Sequence, residues 1–381
     1  MRRNVSSAPR LLYLVTEDWY FCSHRLPLGI AAREHGFDVT VATRVQRHAE
    51  SIRAAGLKLV PLQWARHGHN PFEELNALRE VIRVYRRERP DVVHHVAIKP
   101  VLYGSIAARI TGTPAVINAI AGLGYLESSN DLRARLLRRV VETGYHLLLD
   151  HPNNRLIVQN PDDQSALVER KIIDAAHIAL IRGSGVDVTR FTPAPEPGGT
   201  PLVVLPARLL RDKGVIELVA AARMLREQGV PARFALVGEP DPKHPAAISR
   251  AALERWQADG VVETWGWRED MAEVFQRCHL VCLPSYREGL PKALLEAAAC
   301  ERAIVTCDVP GCREVVRDGD NGLLVPSRDA ASLAAALRRL LQDPALRQRM
   351  ARRGRERAVE EFSVERVVAD TLKVYRECLR Q

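Results

Sequence analysis

The 381-residue chain has no run of 18 apolar residues, so no segment reads as a membrane-spanning helix. Its seven cysteines are an odd number and lack the paired spacing of a disulfide framework or a zinc site; a reducing cytoplasm is the simplest setting. Aromatic residues are scarce, at 5%, which leaves little for a platform that stacks single-stranded bases, and nucleic acid is not an expected partner. No short internal repeat is visible. The basic, polar residues 1–10 run straight into a six-residue apolar segment, too short for the core of a signal peptide.

What is present is ordinary globular composition, 46% hydrophobic and 27% charged, in a chain long enough for two domains. The charge is uneven. Residues 1–190 carry 26 Lys and Arg against 19 Asp and Glu, a net +7; the remaining residues carry 29 against 27, a net +2. A basic first half suits anionic lipid or phosphorylated substrates.

Short apolar runs alternate with longer amphipathic ones. Strands are expected at 11–16, 38–43, 57–62, 91–96, 115–119, 155–159 and 178–181. Helices are expected at 26–35, 72–87, 102–110 and 132–149. Residues 191–201 hold four prolines and two glycines and read as a linker. The alternation then restarts, with strands at 202–207, 233–238, 261–265, 279–284, 303–306 and 322–326. Helical patterns occupy 215–228, 245–257, 290–300, 331–341 and 364–379. Strand–helix alternation predicts parallel sheets covered on both faces. The expected fold is α/β, two doubly wound Rossmann-like domains facing across a cleft: 1–190, then 202–360, with 361–381 a helix crossing back to the first domain. Ligands of such sheets bind at the carboxyl ends of the strands.

The densest segment is Leu-Pro-Ser-Tyr-Arg-Glu-Gly-Leu-Pro-Lys-Ala-Leu-Leu-Glu, residues 283–296. A strand ends, a polar loop follows, and a helix begins; its free N–H groups and positive dipole end suit an anion. Gly289 permits close backbone approach. Glu288 and Glu296 reach points roughly 12 Å apart at about 1.5 Å per residue. That separation suits a ribose and a transferred sugar on one ligand and is too wide for a paired-carboxylate hydrolase. Alone, Glu288 would read as a helix-start cap and Glu296 as a solvated charge. In the second half's first strand-to-helix loop, however, Arg208 and Lys213-Gly214 add two cations suited to a diphosphate.

These residues extend into an ordered series: Arg208, Lys213-Gly214, Trp265-Gly266, Pro284-Ser285, Glu288-Gly289, Glu296-Ala297, Gly311, Glu314-Val315-Val316 and Asn321-Gly322-Leu323-Leu324-Val325. The series resembles the signature of family 4 retaining glycosyltransferases with the GT-B fold. In the first half, Glu17 to Pro27 (with Ser23-His24-Arg25), Val92-Val93-His94-His95, Lys99 to Gly104 and Asn118 to Gly124 look like the bacterial subgroup that builds lipid-linked surface glycans such as lipopolysaccharide or capsule. The resemblance implies that Arg208 and Lys213 bind the donor diphosphate and Glu296 the ribose, and that Glu288 meets the donor sugar. Backbone near Gly266 would meet the base, and Gly289 and Leu290 would offer N–H groups. Glu288, Arg208 and Lys213 are the expected catalytic set. Ser23, His24, His94, His95 and Asn118 are acceptor-side candidates. Asn118 stands where many relatives carry histidine, Tyr20 to Ser23 stand where relatives carry a glycine pair, and Glu301 and Ala303 replace a usual Gly and Pro.

The implied activity is transfer of a sugar, with an N-acetylhexosamine suggested by the subgroup, from a UDP-sugar to a lipid-diphosphate-linked glycan. No cofactor and no required metal are implied, and the setting is the inner face of the cytoplasmic membrane. A non-hydrolysing sugar-nucleotide epimerase and a non-catalytic nucleotide-sugar-binding subunit are the alternatives. The epimerase needs a titratable set for proton exchange that is not evident. The retained cations and glutamates argue against the binding subunit. The pattern at 132–141, with Leu132, Leu136, Leu137, Val140 and Val141 flanked by Arg133, Arg135, Arg138 and Arg139, suggests an interfacial helix on an anionic membrane surface. Arg83, Arg86, Arg87 and Arg89 add a second basic cluster.

Overall fold

The computed structural model describes residues 8–64, 70–120, 132–242 and 244–380, the side chains of 132–138 and 140 excepted. Within them the chain forms two compact units, residues 1–184 with 367–381, and residues 185–366.

The first unit carries seven strands: β1 (Arg10–Glu17), β2 (Asp38–Arg44), β3 (Lys58–Pro61), β4 (Val92–Val96), β5 (Ala115–Ala119), β6 (Asn154–Val158) and β7 (Ile178–Leu180). They form one parallel sheet in the order β3-β2-β1-β4-β5-β6-β7. The second unit carries β8 (Leu202–Pro206), β9 (Arg233–Val237), β10 (Glu263–Gly266), β11 (Leu280–Leu283), β12 (Ala303–Cys307) and β13 (Gly322–Val325). Their order is β10-β9-β8-β11-β12-β13, again all parallel. In both sheets the order reverses beside the first strand, between β1 and β4 and between β8 and β11, and such switch points open a crevice at the carboxyl ends. Continuous apolar runs make these central strands, because both faces are covered: every residue of β8, β11 and β12 is buried.

Helices cover the sheets with capped starts. Asn70 accepts from Phe72 N to open the helix Pro71–Glu88, and Asp329 accepts from Ser332 N to open Ala330–Gln342. One long helix was not anticipated from the sequence, Pro344–Phe362. Its buried face includes Arg347, paired with Glu196 at 2.7 Å, and Arg357, paired with Glu361 at 2.9 Å, so its apolar periodicity is broken by buried cations.

Val186 and Phe191 are already buried in the core of the second unit, so that unit begins ahead of the proline-rich stretch. The chain leaves where it entered: Val186 N donates to Phe362 O, and Val364 N to Val186 O. The C-terminal helix Val364–Arg380 then packs Val367, Leu372, Val374, Tyr375 and Cys378 into the first unit's core.

Candidate active site in the second unit

The loop after β8 and the loop after β11 are locked together by glycine. Gly214 has φ +72°, and a Cβ there would overlap the carbonyl oxygen of Pro284. This close approach brings Lys213, at the end of a single 3-10 turn, to the segment following β11. Lys213 Nζ lies 2.5 Å from Glu288 Oε1, and Ser285 Oγ donates to the same oxygen at 2.7 Å. Lys213 and Glu288 keep 19% and 13% of their side-chain surface exposed, while Ser285 is buried. Gly311, after β12, backs the segment. At φ +79° it lies so close that a Cβ would overlap Gly289 O and come within 2.6 Å of Glu288 O.

The helix following this loop spans Lys292–Ala299, with Pro291 as its N-cap. It starts two residues later than the sequence pattern suggests, leaving Gly289 and Leu290 in the loop; the Leu290 side chain packs inward. Glu296 is 8% exposed and paired to Lys292 at 3.2 Å, one turn before it. Burial pushes its carboxyl above the usual range, against the pull of Lys292 and Arg190. Glu296 is not joined to the Lys213–Glu288 pair.

Arg208 stands apart from that pair as well. It is 44% exposed and 3.7 Å from Asp241. Gly266 closes β10 at φ +66° with open space beside it, and its carbonyl accepts from Gly238 N at 2.8 Å. Arg208, Gly238, Gly266 and Lys213 thus lie on the loops that leave β8, β9 and β10 at their carboxyl ends.

Two participants were not assigned from the sequence. Ser285 sits three residues before Glu288 in the loop, and Lys292 four before Glu296 in the helix, where the spacing was a legible signal. A third feature had no signal: Tyr286 Oη donates to Glu217 at 2.7 Å beneath Arg328, whose guanidinium lies 4.6 Å from the ring centre. Glu217 Oε2 and Asp212 Oδ1 are buried there without partners.

The acceptor-side candidates of the first unit divide. Ser23 is exposed, with its hydroxyl 2.6 Å from His24 Nδ1, and His24 stacks on Tyr20 with ring centres 4.2 Å apart. His94, His95 and Asn118 were acceptor-side candidates, with a structural role the commoner one for a strand-end histidine; the structure buries all three completely. The reason is an interior network. His95 Nδ1 lies 2.7 Å from Asn118 Oδ1, and its Nε2 lies 2.8 Å from Tyr85 Oη, which fixes the neutral ring. Asn118 Nδ2 donates to Asn154, whose own amide reaches Leu148 O. His94 Nδ1 lies 2.5 Å from Tyr375 Oη. Burial holds His95 down to about 4 and His94 well below the usual histidine value. Gly122 and Gly124 lie outside the described residues, as do the side chains of residues 132–138 and 140. The helix Leu132–Leu149 itself is formed, with Arg139 exposed and Val141 buried.

Among the described residues no group of three or more His, Cys, Asp or Glu is arranged to hold a metal ion, and no helix is long and apolar enough to cross a membrane.

Comparison with known proteins agrees with this fold. Residues 189–357 match the model for glycosyl transferases group 1, and residues 10–153 match glycosyl transferase 4-like. The chain is 28% identical over 349 residues to N,N'-diacetylbacillosaminyl-diphospho-undecaprenol alpha-1,3-N-acetylgalactosaminyltransferase of Campylobacter jejuni, covering 88% of this chain and 90% of the relative. It is 31% identical to D-inositol 3-phosphate glycosyltransferase of an Arthrobacter species, covering 82% and 78%. Among solved structures, Anabaena Alr3699/HepE in complex with UDP and glucose superposes with a TM-score of 0.78 at 16% identity, over 96% of this chain and 99% of that one. The chain has the GT-B fold, and it belongs to the group 1 glycosyl transferases, with a glycosyl transferase 4-like first unit.

Proposed function

We propose that this glycosyltransferase moves a sugar, an N-acetylhexosamine, from a UDP-linked donor to a lipid-diphosphate-linked glycan, with retention of anomeric configuration, during assembly of a cell-surface polysaccharide. The observation that carries the reading is the Lys213–Glu288–Ser285 cluster immediately ahead of the helix Lys292–Ala299. Further support comes from the relatives that act on undecaprenol-diphosphate-linked sugars, in Campylobacter jejuni and Escherichia coli.

In this reading Lys213 and Arg208 take the donor diphosphate together with N–H groups at the helix start. The arriving diphosphate competes with Glu288 for Lys213, and the released carboxylate turns to hydroxyls of the donor sugar. Glu296 accepts from the ribose hydroxyls, backbone at Gly266 meets the base, and Gly289 and Leu290 offer N–H groups. As the bond from the anomeric carbon to phosphate breaks, negative charge grows on the leaving diphosphate, where fixed cations stabilise it most. The acceptor hydroxyl attacks from the same face, and its proton passes to the leaving phosphate oxygen, so no protein nucleophile is consumed. The first unit takes the acceptor, with the exposed Ser23 and the half-buried His24 as its candidates, and the enzyme works against the anionic inner face of the cytoplasmic membrane.

The test is a screen of UDP- and GDP-sugars against lipid-diphosphate-linked acceptors, with the product anomer determined. Transfer from a UDP-N-acetylhexosamine with the donor's configuration kept is expected. An inverted product overturns the mechanism, and failure of every lipid-diphosphate acceptor overturns the acceptor class.

A further inference from the structure

The helix Pro71–Glu88 buries Ala77, Val81, Val84 and Tyr85 against the first unit. At 3.6 residues per turn its opposite face carries Phe72, Leu75, Arg79, Arg83 and Arg86. Phe72 is 78% exposed and Leu75 44%, on the first turns, where a chain optimised for water alone has no use for them. Arg79, Arg83 and Arg86 are exposed and have no carboxylate partner among the described residues, whereas the neighbouring Arg87 and Lys58 are both paired with Glu88. Of the acids on the same helix, Glu74 is held by Lys99 and Tyr103, Glu80 accepts from Gln63 N, and Glu73 is exposed beside the apolar tip. The Glu74–Lys99 contact also fixes the place of the tip. Lys99 opens the helix that follows β4, so Phe72 and Leu75 stand at the carboxyl edge of the sheet, where its ligands bind.

We infer that this face is the chain's seat on an anionic bilayer: Phe72 and Leu75 enter the interfacial layer, and Arg79, Arg83 and Arg86 meet lipid phosphates. An apolar tip followed by unpaired cations along one helix face has the chemistry of an interfacial helix. The inference rests on the lipid-linked acceptor proposed above, which brings this edge of the sheet to a membrane. It names a different surface from the helix Leu132–Leu149.

The test is co-sedimentation of the full chain with phosphatidylcholine vesicles containing increasing phosphatidylglycerol, at low and high salt. Two variants are compared, Phe72→Ser with Leu75→Ser, and Arg79→Gln with Arg83→Gln and Arg86→Gln. Binding by the unaltered chain rises with phosphatidylglycerol and falls with salt. The arginine variant loses about five-fold in partitioning per cation and most of the dependence on phosphatidylglycerol. The apolar variant loses binding at every lipid composition. Turnover of a short-chain, water-soluble lipid-diphosphate acceptor stays unchanged in both variants, which reports on the fold and keeps the acceptor reading separate: if no such acceptor turns over while vesicle binding behaves as stated, the acceptor class fails and the surface stands. Vesicle binding equal to the unaltered chain in both variants overturns the inference. So does a self-association that both variants abolish while vesicle binding persists, because the occupant is then a second copy.

Discussion

In the first unit the notable polar side chains turn inward and bond one another, with His94 Nε2 left buried and unpartnered; in the second they gather at the carboxyl ends of the strands and stay partly open. His94, His95, Asn118 and Tyr375 are fully or almost fully buried, in a network built from neutral groups. Lys213, Glu288 and Arg208 keep 19%, 13% and 44% exposure, and two of them form an ion pair a ligand can compete for. The same doubly wound architecture therefore uses polar groups in two ways. The buried bonds of His94 to Tyr375 and of His95 to Asn118 and Tyr85 specify how β4, β5 and the C-terminal helix dock, since any slip would add to the cost of the one unpartnered atom, His94 Nε2. A partly exposed pair with a displaceable partner is what a charged substrate needs.

The largest effect that tests this contrast is on turnover. Lys213→Ala and Arg208→Ala each remove about 2–4 kcal/mol of transition-state stabilisation, or roughly 30- to 1,000-fold in turnover. Tyr85→Phe in the first unit removes one buried hydrogen bond to His95 and costs about 1 kcal/mol of stability, with turnover per folded molecule retained. Near-normal turnover in both cation variants would strip the second unit of its assigned role.

Acid should separate the units next. A histidine titrates near 6.5 in the unfolded chain, and burial holds His95 at about 4 in the folded one. Between those values the unfolded state binds the extra proton, so stability falls as pH falls. At 1.36 kcal/mol per pH unit His95 alone accounts for about 3 kcal/mol by pH 4, and His94 adds in the same direction. The second unit has one buried histidine, His279; burial lowers it too, but less, because Pro197 O faces its Nε2 and pulls the other way. Hydrogen exchange at pH 7 and pH 5 should show β4 and β5 losing protection well before β11 and β12. Equal loss across both sheets would remove the interior histidines as the cause.

Two glycines sharpen the comparison at smaller scale. Gly112 caps a first-unit helix at φ +68° with nothing within 4 Å of a Cβ; Gly311 stands at φ +79° against the Glu288–Gly289 backbone. Gly112→Ala should cost about 1 kcal/mol for its left-handed backbone and leave turnover alone. Gly311→Ala adds a steric clash, shifts Glu288, and should lower turnover at least several-fold beyond its cost in thermal stability. Equal effects of the two substitutions would show that the Gly311 contact does not position Glu288.

The strands, both sheets and the meeting of Lys213 with the Glu288 segment were legible because they rest on local signals: continuous apolar runs, Gly at left-handed turns, and charges at strand-to-helix loops. Glu301, singled out as a departure from the pattern the sequence resembles, stands at φ +55°, a backbone that favours glycine. The helix Pro344–Phe362 escaped because Arg347 and Arg357 occupy its buried face, and their partners Glu196 and, in part, Val315 O are distant in sequence. The first-unit histidines stayed open between a site and an interior role for the same reason. A histidine at a strand end looks alike whether it meets solvent or a tyrosine 281 residues away, as His94 does with Tyr375.

The finest test lies within the second unit, between its two glutamates. Glu296 is buried beside Lys292, and its raised carboxyl would be held ionised by ribose hydroxyls that donate to it. Glu296→Gln keeps the shape and loses the charge-assisted bonds, so UDP affinity should fall about tenfold, close to 1.4 kcal/mol. Affinity of the unaltered enzyme should also weaken as pH falls through the raised value, because protonation removes the acceptor; Glu296→Gln should flatten that dependence. Glu288→Gln behaves oppositely. It releases Lys213 from its partner at 2.5 Å, so UDP binds as well as before or better, while turnover drops for want of the sugar contact. Calorimetric titration of UDP into both variants across pH, beside their turnover, separates the two roles. Should UDP affinity collapse in Glu288→Gln and survive in Glu296→Gln, the donor lies the other way round along the helix Lys292–Ala299, with its sugar at Glu296 and its ribose at Glu288.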